Sequence, residues 1–313
     1  MNWLQLVFYF AVGIMVVGCI IKAIRIAKMP LHVRWELYPI PHEKGKEHYG
    51  GSYFEEINWW TKPRQIALGS ELAEMGREIL AIQSLYRNNR KLWYFSFPFH
   101  FGLYLLTATI ILLVVGAILQ ALGIEISGVS ESLLGKLVYG LTILTGVAGW
   151  VLGAIGAFGL FLSRIFRKEL RKFSVRADYF NLLLLLAVFV TGYFSWLVAD
   201  SSLGHLRSFA GSLILLEAAS PLPAITQVHL ILVAVFFAYL PFTHMTHFIG
   251  KYFTYHNVRW EDQPNIKGSK IEAEVIKALG YKLTWAAPHI GQNKTWAEAA
   301  SETGGPARKE DAK

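Results

Sequence analysis

The sequence predicts an all-α integral membrane protein, built as a bundle of five transmembrane helices. Of its 313 residues, 54% are hydrophobic and only 17% are charged, and the mean hydropathy is +0.38, which is too apolar for an ordinary soluble domain. Five apolar runs are long enough to cross a hydrocarbon layer, which requires about 20 helical residues. Because a chain in lipid must satisfy its own backbone hydrogen bonds, separate runs of this length predict helices rather than a membrane barrel.

The predicted spans are residues 3–21, 92–119, 133–162, 179–199 and 224–249. The first could be mistaken for a signal peptide, but no basic residue precedes its apolar core and no small-residue cleavage site follows it. Instead, Lys22, Arg25 and Lys28 come directly after it. We therefore expect the first run to stay attached as a membrane anchor.

The basic residues predict the orientation of the bundle. Of the 30 Lys and Arg residues, 28 lie in residues 22–91, in the loop between the third and fourth spans, or after the fifth span. Only Lys136 and Arg207 lie in the other two loops, where we expect simple surface roles for them. Since Lys and Arg concentrate on the cytoplasmic side, we expect the N-terminus outside, the C-terminus in the cytoplasm and the chain in the cytoplasmic membrane. The formal charge of +8 then needs no nucleic-acid partner.

The spans divide the chain into four regions. These are transmembrane helix 1 (1–24), a cytoplasmic insertion (25–91), a four-helix membrane region (92–250) and a cytoplasmic tail (251–313). In the insertion, apolar residues between Ile66 and Leu85 recur at helical spacing among charged ones, which predicts an amphipathic cytoplasmic helix. A helix lying on the lipid surface is the alternative.

The tail has features of a docking segment. It carries a short helical pattern near residues 270–279, and its end, from Ser301 onward, has a composition typical of disorder. Trp285 and Trp296 predict that the tail docks onto another protein. A loose tail is the alternative.

The cysteine content limits the redox chemistry of this chain. Cys19 is the only cysteine, and it lies in an apolar run. One cysteine cannot form an intramolecular disulfide, a CxxCH haem attachment or a cysteine-ligated iron–sulfur cluster. No metal-hydrolase motif or serine nucleophile elbow is apparent. A redox metal bound by this chain would therefore use histidine.

Four of the ten histidines, His100, His229, His244 and His247, fall in predicted spans, where ionisable side chains are costly and usually functional. In one continuous helix, the separation of His229 from His247 would be about five turns, so both imidazoles would project from one face about 27 Å apart. His244 would be rotated by roughly 60° from His247, close enough to serve as a neighbouring group or an alternative ligand.

A haem with two histidine ligands needs its second imidazole from another helix at the same depth, because the iron binds the two nitrogens on opposite faces of the porphyrin. His100 lies near the cytoplasmic start of the second span, and His247 lies at the cytoplasmic end of the fifth. This match predicts a b-type haem. The glycines of the third span, including the GxxxG pair Gly149 and Gly153, either contact such a cofactor or serve close helix packing.

Two segments resemble a known family. The blocks FPFHFGLYLL (97–106) and HLILVAVFFAYLPFTHMTHFIGKYF (229–253) resemble the second and fifth helices of the gamma-subunit family of respiratory nitrate reductases, which supply axial ligands to b haems. The insertion with GSYFEEINWWTKPRQ (51–65) and the extended tail look more like one branch of that superfamily. That branch is the cytochrome b subunit of sulfite-reduction-associated, heterodisulfide-reductase-like menaquinol oxidoreductase complexes.

The resemblance implies specific haem ligands. His100 and His247 would ligate an inner haem, and His229 would be one ligand of an outer haem. The sequence departs from the family pattern at the second histidine of helix two, because Ile110 stands there. The nearest substitute is His205 in the outer loop, whose apolar neighbours could fold it back toward the bilayer. The alternatives are a five-coordinate outer haem and a single-haem protein in which His229 has another role.

The resemblance also implies a function. The chain would be the haem b subunit of a respiratory complex, with at least one and by the family pattern two haems. It would transfer electrons between menaquinone and a cytoplasmic iron–sulfur subunit related to heterodisulfide reductase, in dissimilatory sulfite or sulfate metabolism. Further membrane and extracytoplasmic redox subunits would complete the complex.

Two other functions remain open on the sequence alone. A membrane transporter could use intramembrane histidines as a proton relay, although the repeats and broken helices typical of transporters are not visible. A non-redox membrane anchor subunit would tolerate the loss of His100 and His247 without the loss of a chromophore.

Overall fold

The computed structural model of the chain describes residues 2–29, 43, 46, 49, 55–62, 68–260, 265–285 and 293–301. In chain order, its helices are α1 (Trp3–Ala27), α2 (Leu68–Ala81), α3 (Gln83–Asn88), α4 (Arg90–Ala121), α5 (Leu133–Phe166), α6 (Lys168–Lys172), α7 (Arg176–Val198), α8 (Gly204–Ile214), α9 (Ala224–Tyr239), α10 (His247–Thr254), α11 (Lys270–Leu279) and α12 (Trp296–Ser301). Within these residues there is no strand, and an isolated bridge joins Lys282 to Thr295. The fold is all-α, which confirms the predicted fold class.

Five helices in the described part of the chain are long and apolar enough to cross a membrane. They are α1, α4, α5, α7 and the segment Ala224–Phe242 that contains α9. Each overlaps one predicted span. Many of their large apolar side chains point away from the protein, such as Phe10, Leu144 and Leu197, which are 73%, 64% and 53% exposed. Lipid is the solvent that such surfaces require, so the chain is a multi-pass membrane protein.

The chain divides into two units. The first comprises residues 1–19 and 72–245 and holds nearly all of the membrane-spanning residues; the second comprises residues 20–71 and 246–313. Most of the tail end that is predicted to be disordered, residues 302–313, lies outside the described residues. Much of the predicted insertion, including Ile66, also lies outside them.

In the first unit, α4 and α5 meet through backbone contacts at glycines. A Cβ atom added to Gly102 would lie 2.5 Å from the Gly153 nitrogen and 2.7 Å from the Gly149 oxygen. One added to Gly156 would lie 2.4 Å from the nitrogen of Phe99. Small residues allow membrane helices to approach this closely. Of the two interpretations of the α5 glycines, helix packing therefore accounts for these positions.

The N-terminal half of α1 is fixed to α8 and the loop after it. Gln5 is fully buried, and its Nε2 donates hydrogen bonds to Ser212 Oγ (3.1 Å) and the Glu217 carbonyl (2.7 Å). Tyr9 donates its hydroxyl hydrogen to the Leu213 carbonyl at 2.5 Å. These polar contacts within apolar surroundings specify which face of α1 packs on the bundle.

The fifth span ends earlier than the sequence predicts. The α-helix stops at Tyr239, a 3-10 turn covers Leu240–Phe242, and the chain becomes extended at Thr243. Pro241 lacks the N–H that a continuing helix needs. The Thr243 hydroxyl donates to the Leu240 carbonyl and accepts from the Met245 amide, which stabilises the break. The prediction of one helix from 224 to 249 is therefore wrong beyond Phe242.

Helix α8 confirms that the segment after the fourth span folds back onto the bundle. Leu203, Leu206 and Phe209 are 0%, 6% and 3% exposed and belong to the main apolar core. His205 lies on this helix, so its apolar neighbours do hold it against the membrane region.

In the second unit, the predicted tail helix is present as α11. It begins after Ser269, whose hydroxyl accepts the Glu272 amide at 3.2 Å. Beyond it, the amide of Trp296 donates to the Tyr281 carbonyl, and the rings of Trp285 and Trp296 meet edge to face at 6.4 Å. The two tryptophans thus contact each other, and both remain 46% exposed.

Candidate functional site

His100 lies inside α4, one turn after Ser96. Its Nδ1 is 2.7 Å from the Ser96 carbonyl oxygen. A carbonyl can only accept a hydrogen bond, so Nδ1 carries the proton and Nε2 carries the lone pair of the neutral ring. This tautomer and this fixed orientation are what a metal-ligating histidine requires.

His229 lies in α9 and is only 5% exposed. Its Nδ1 is 3.3 Å from the Thr191 hydroxyl oxygen, and that hydroxyl donates its own hydrogen to the Ala187 carbonyl at 2.7 Å. The Thr191 oxygen therefore accepts from Nδ1–H, which again leaves the lone pair on Nε2. His100 and His229 thus share one tautomer, although a residue of the same helix orients the first and a residue of α7 orients the second.

The surroundings of His229 are tightly packed. The indole of Trp150 meets the imidazole edge to face at 5.8 Å between ring centroids. A Cβ atom added to Gly192 would lie 2.3 Å from Trp150 Nε1 and 2.8 Å from His229 Cε1. Beside them, the hydroxyls of Ser195 and Thr226 are hydrogen-bonded at 2.8 Å and fully buried. The site of His229 is therefore formed by α5, α7 and α9.

The structure separates His247 from the helix of His229. Because the helix breaks at Pro241 and Thr243, His247 begins the separate helix α10, in the second unit. The predicted continuous helix from His229 to His247, on which their five-turn relation rested, is therefore wrong. The cause is the proline and threonine chemistry of the break, which a hydropathy pattern does not report.

His205 and His244 occupy other positions in the first unit. His205 is the second residue of α8 and is half-buried. The packing of His229 against Trp150, Thr191 and Gly192 does not involve His205. His244 is exposed, and its Nε2 lies 3.2 Å from Asp178 Oδ1 at the start of α7. His244 thus has an acidic partner in Asp178.

Asn181 is a buried polar residue that the sequence analysis missed. It is 4% exposed, and neither its Oδ1 nor its Nδ2 has a hydrogen-bond partner in the structure. It lies three residues after Asp178 on α7, which places the two side chains on one helix face. A buried amide without partners costs free energy unless a bound group satisfies it. A lone asparagine before the run LLLLL was the available signal.

Arg207 is also buried, which contradicts the surface role expected for it. The residue is 5% exposed. Its Nε donates a hydrogen bond to Gln120 Oε1 at 3.0 Å, and its Nη2 donates one to the Ile126 carbonyl at 3.3 Å. Its Nη1 has no hydrogen-bond partner in the structure. Desolvation by burial lowers the pKa of this guanidinium below its ordinary value. Its aliphatic stem packs against Gly116. The loop position suggested a surface residue because the sequence does not show which side of α8 faces the bundle.

The donor atoms of this region suit haem iron rather than a bare metal ion. Within the described residues, no group of three or more His, Cys, Asp or Glu side chains could hold such an ion. His100 and His229, each with Nδ1 hydrogen-bonded and the lone pair on Nε2, are each suited to be one axial ligand of a b haem. Because such a haem takes one imidazole on each face of the porphyrin, each would need a second histidine. The residues present therefore fit a haem.

One family comparison bears on this chain. The family model described as nitrate reductase gamma subunit matches residues 80–261, which is more than half of the sequence. The match includes α4, α5, α7, α8 and α9, and therefore His100, His205, His229, His244 and His247. No curated protein and no solved structure matches the chain.

Proposed function

This chain belongs to the nitrate reductase gamma subunit family, and from that premise we propose that it is the haem b membrane subunit of a respiratory redox complex. Proteins of this family bind haem b and act as membrane subunits of redox complexes. The observation that carries the proposal is the shared state of His100 and His229, whose Nδ1 atoms are both held by a protein oxygen. A haem bound there would carry single electrons across the membrane region.

The proposed ligands follow the family pattern. His100 and His247 would hold an inner haem, and His229 would hold an outer one with His205 as its second ligand. His244, beside Asp178, would be a neighbouring or alternative ligand. In this scheme the Ser96 carbonyl and the Thr191 hydroxyl keep the two imidazoles oriented, and Trp150 excludes water from one side of His229. The protein thus determines position and environment, while the redox chemistry belongs to the cofactor.

The outer site is where this chain differs from its family. At the family's second histidine position on helix two, Ile110 is 48% exposed on a membrane-spanning helix. That side chain cannot ligate iron. We propose His205 because α8 folds against the bundle and keeps it half-buried near the end of the membrane region. The competing arrangements are a five-coordinate outer haem and a chain that binds only the inner haem.

The finer function that we propose rests on the resemblance of the insertion and tail. It is electron transfer between menaquinone and a cytoplasmic iron–sulfur subunit related to heterodisulfide reductase, in sulfite or sulfate metabolism. The chain has one cysteine, Cys19, so clusters that accept or deliver its electrons must lie on another subunit. Further membrane and extracytoplasmic redox subunits would be partners of the same complex.

A pyridine haemochrome assay with protein quantification on the purified, detergent-solubilised chain tests this proposal. Two b haems per chain would support the two-haem scheme and require a second ligand for His229. If the chain holds one haem, and if that haem is lost in His100→Leu but kept in His229→Leu, the result would support only the inner site. If carefully prepared protein contains no haem, the redox proposal is wrong, and a transporter or an anchor without redox function becomes the better hypothesis.

A further inference from the structure

The C-terminal part of α2, residues 72–81, exposes its apolar side chains and buries a charged one. Leu72 and Leu80 are 61% and 62% exposed and Ile79 is 41% exposed, whereas Glu78 is 7% exposed. At about 100° per residue, the three apolar side chains lie within about a third of the helix circumference. A helix on the surface of a soluble protein has the opposite arrangement. This apolar stripe therefore lacks an apolar partner among the residues that the structure describes.

The end of this helix is bonded to a membrane-spanning helix. The hydroxyl of Tyr104, four residues after His100 on α4, donates to the Ile79 carbonyl at 2.7 Å. The indole Nε1 of Trp93, also on α4, donates to the Ala81 carbonyl at 2.8 Å. The last carbonyls of a helix have no partner within the helix, and in a membrane water cannot supply one. Side-chain donors satisfy these two carbonyls.

A fixed corner connects α2 to the membrane-spanning region. Ile82, between α2 and α3, has left-handed backbone angles (φ 50°, ψ 50°), which a β-branched residue rarely adopts. The Glu78 carboxylate accepts hydrogen bonds from the amide and the hydroxyl of Ser84, both at 2.8 Å. This contact bridges the corner. It explains both the burial of Glu78 and the fixed direction in which α2 leaves the bundle.

Aromatic and basic residues near the same corner are typical of a membrane interface. Trp93 and Phe97 stack at 4.7 Å, and the guanidinium of Arg90 lies 4.4 Å from the ring centre of Tyr86. Aromatic rings concentrate at the level of lipid headgroups. At the edge of the apolar stripe, the guanidinium of Arg77 is solvent-exposed and pairs with Glu74, in a position suited to headgroups or water.

We infer that residues 72–81 of α2 form an interfacial helix whose Leu72, Ile79 and Leu80 stripe contacts the acyl chains of the surrounding bilayer. The occupant is lipid because Trp93, which bonds to α2, begins a stacked row of rings that leads through Phe97 to Phe101, an exposed residue of the membrane-spanning α4. Such helices lie in the membrane plane with the apolar side immersed in the acyl boundary. In this position α2 anchors the start of α4 and covers it close to His100.

Site-directed spin labelling of the full chain in phospholipid vesicles, without other proteins, tests this inference. In a Cys19→Ser background, one label is placed at Leu80→Cys and a matched label on the polar side at Glu74→Cys, about 120° away around the helix. Power saturation then compares collisions with molecular oxygen, which concentrates in lipid, and with a water-soluble nickel chelate. We expect oxygen to relax the label at position 80 at least several-fold more than nickel does, and the reverse at position 74.

Two outcomes would overturn the inference. Equal access of nickel to both positions would mean that the stripe faces water. Protection of position 80 from both reagents would mean that protein, either the chain's own tail or a second copy, covers it. A second label, Leu72→Cys, repeats the test if the first variant does not fold. Tyr104→Phe, which removes the donor to Ile79, should increase the nickel access of position 80.

Discussion

The imidazoles of His100 and His229 are oriented by different hydrogen-bond acceptors, but both carry the proton on Nδ1 and the lone pair on Nε2. His100 is held by the carbonyl of Ser96, which any helix offers one turn earlier, whereas His229 depends on the Thr191 hydroxyl of another helix. The first arrangement tolerates changes in neighbouring helices. The second makes the orientation of the His229 imidazole depend on the packing of α7 against α9.

The dependence of His229 on Thr191 is testable with one substitution. Thr191→Val removes the acceptor of Nδ1–H while keeping the side-chain shape, so we expect about 10- to 100-fold weaker haem retention at the His229 site, as for other neighbours of metal ligands. The measurement is the haem-to-protein ratio during detergent washing, together with the midpoint potentials of the haems. Thr107→Val is the matched control, because Thr107 bonds only to the Leu103 carbonyl of its own helix. Identical ratios and potentials in both variants would show that the Thr191 hydroxyl does not support a haem ligand at His229.

The unpartnered amide of Asn181 gives a second prediction. Replacement by the similarly sized Leu removes two buried polar atoms without partners, so Asn181→Leu should stabilise the cofactor-free chain in detergent by about 1–3 kcal/mol. Thermal unfolding of wild type and variant measures this. Asn88→Leu serves as a control on an exposed site where the amide donates to the Ser84 carbonyl. A lower melting temperature for Asn181→Leu would show that a bound group already satisfies the amide in the purified protein.

The residues that could be predicted from sequence are those whose chemistry is unusual in a membrane. His100 and His229 attract notice because imidazoles are rare in apolar spans. The contacts of Thr191 and Trp150 and the burial of Arg207 could not be predicted, since they depend on how neighbouring helices are rotated about their axes. These are tertiary facts that no local pattern encodes.

At the scale of elements, spans were easier to predict than their ends. Hydropathy averages over about 19 residues, so it detects α4 or α5 reliably but extends the fifth span through Pro241 and Thr243, where the helix breaks. For the same reason the pattern placed His247 on a helix that had already ended. The α5 glycines are a similar case. Small residues indicate that another group approaches the helix closely, but they do not show whether that group is a neighbouring helix or a cofactor.

The contact between α4 and α5 gives an element-scale prediction. Gly102→Ala would place a Cβ 2.5 Å from the backbone nitrogen of Gly153, and backbone cannot move aside as a side chain can. We expect a loss of about 1–3 kcal/mol in unfolding free energy, as for overpacked cores, measured by thermal unfolding in detergent. At Gly140→Ala nothing lies within 4 Å, so this control should be neutral or stabilised by up to about 1 kcal/mol. Equal stability of both variants would contradict the close packing.

At the scale of the whole molecule, the number of spans and their orientation are predicted from hydrophobic composition and from the distribution of basic residues. The five spans follow from long apolar runs, which the structure confirms. The predicted orientation follows from the sequence positions of the basic residues, because 28 of the 30 fall in segments that alternating topology would place on the same side of the membrane. The charge bias does not depend on packing details, so errors about single helix ends do not affect it.

Orientation determines which partners can reach which end of the bundle, and it can be measured directly. In a Cys19→Ser background, Val129→Cys lies in the loop between α4 and α5, where Val129 is 86% exposed, and Glu169→Cys lies on the exposed side of α6. If the N-terminus is outside, a membrane-impermeant maleimide should label position 129 in intact cells and position 169 only after the membrane is permeabilised. The reverse pattern would place the basic loops outside. It would also remove the basis for a cytoplasmic iron–sulfur partner, because the segments proposed to dock it would then face away from the cytoplasm.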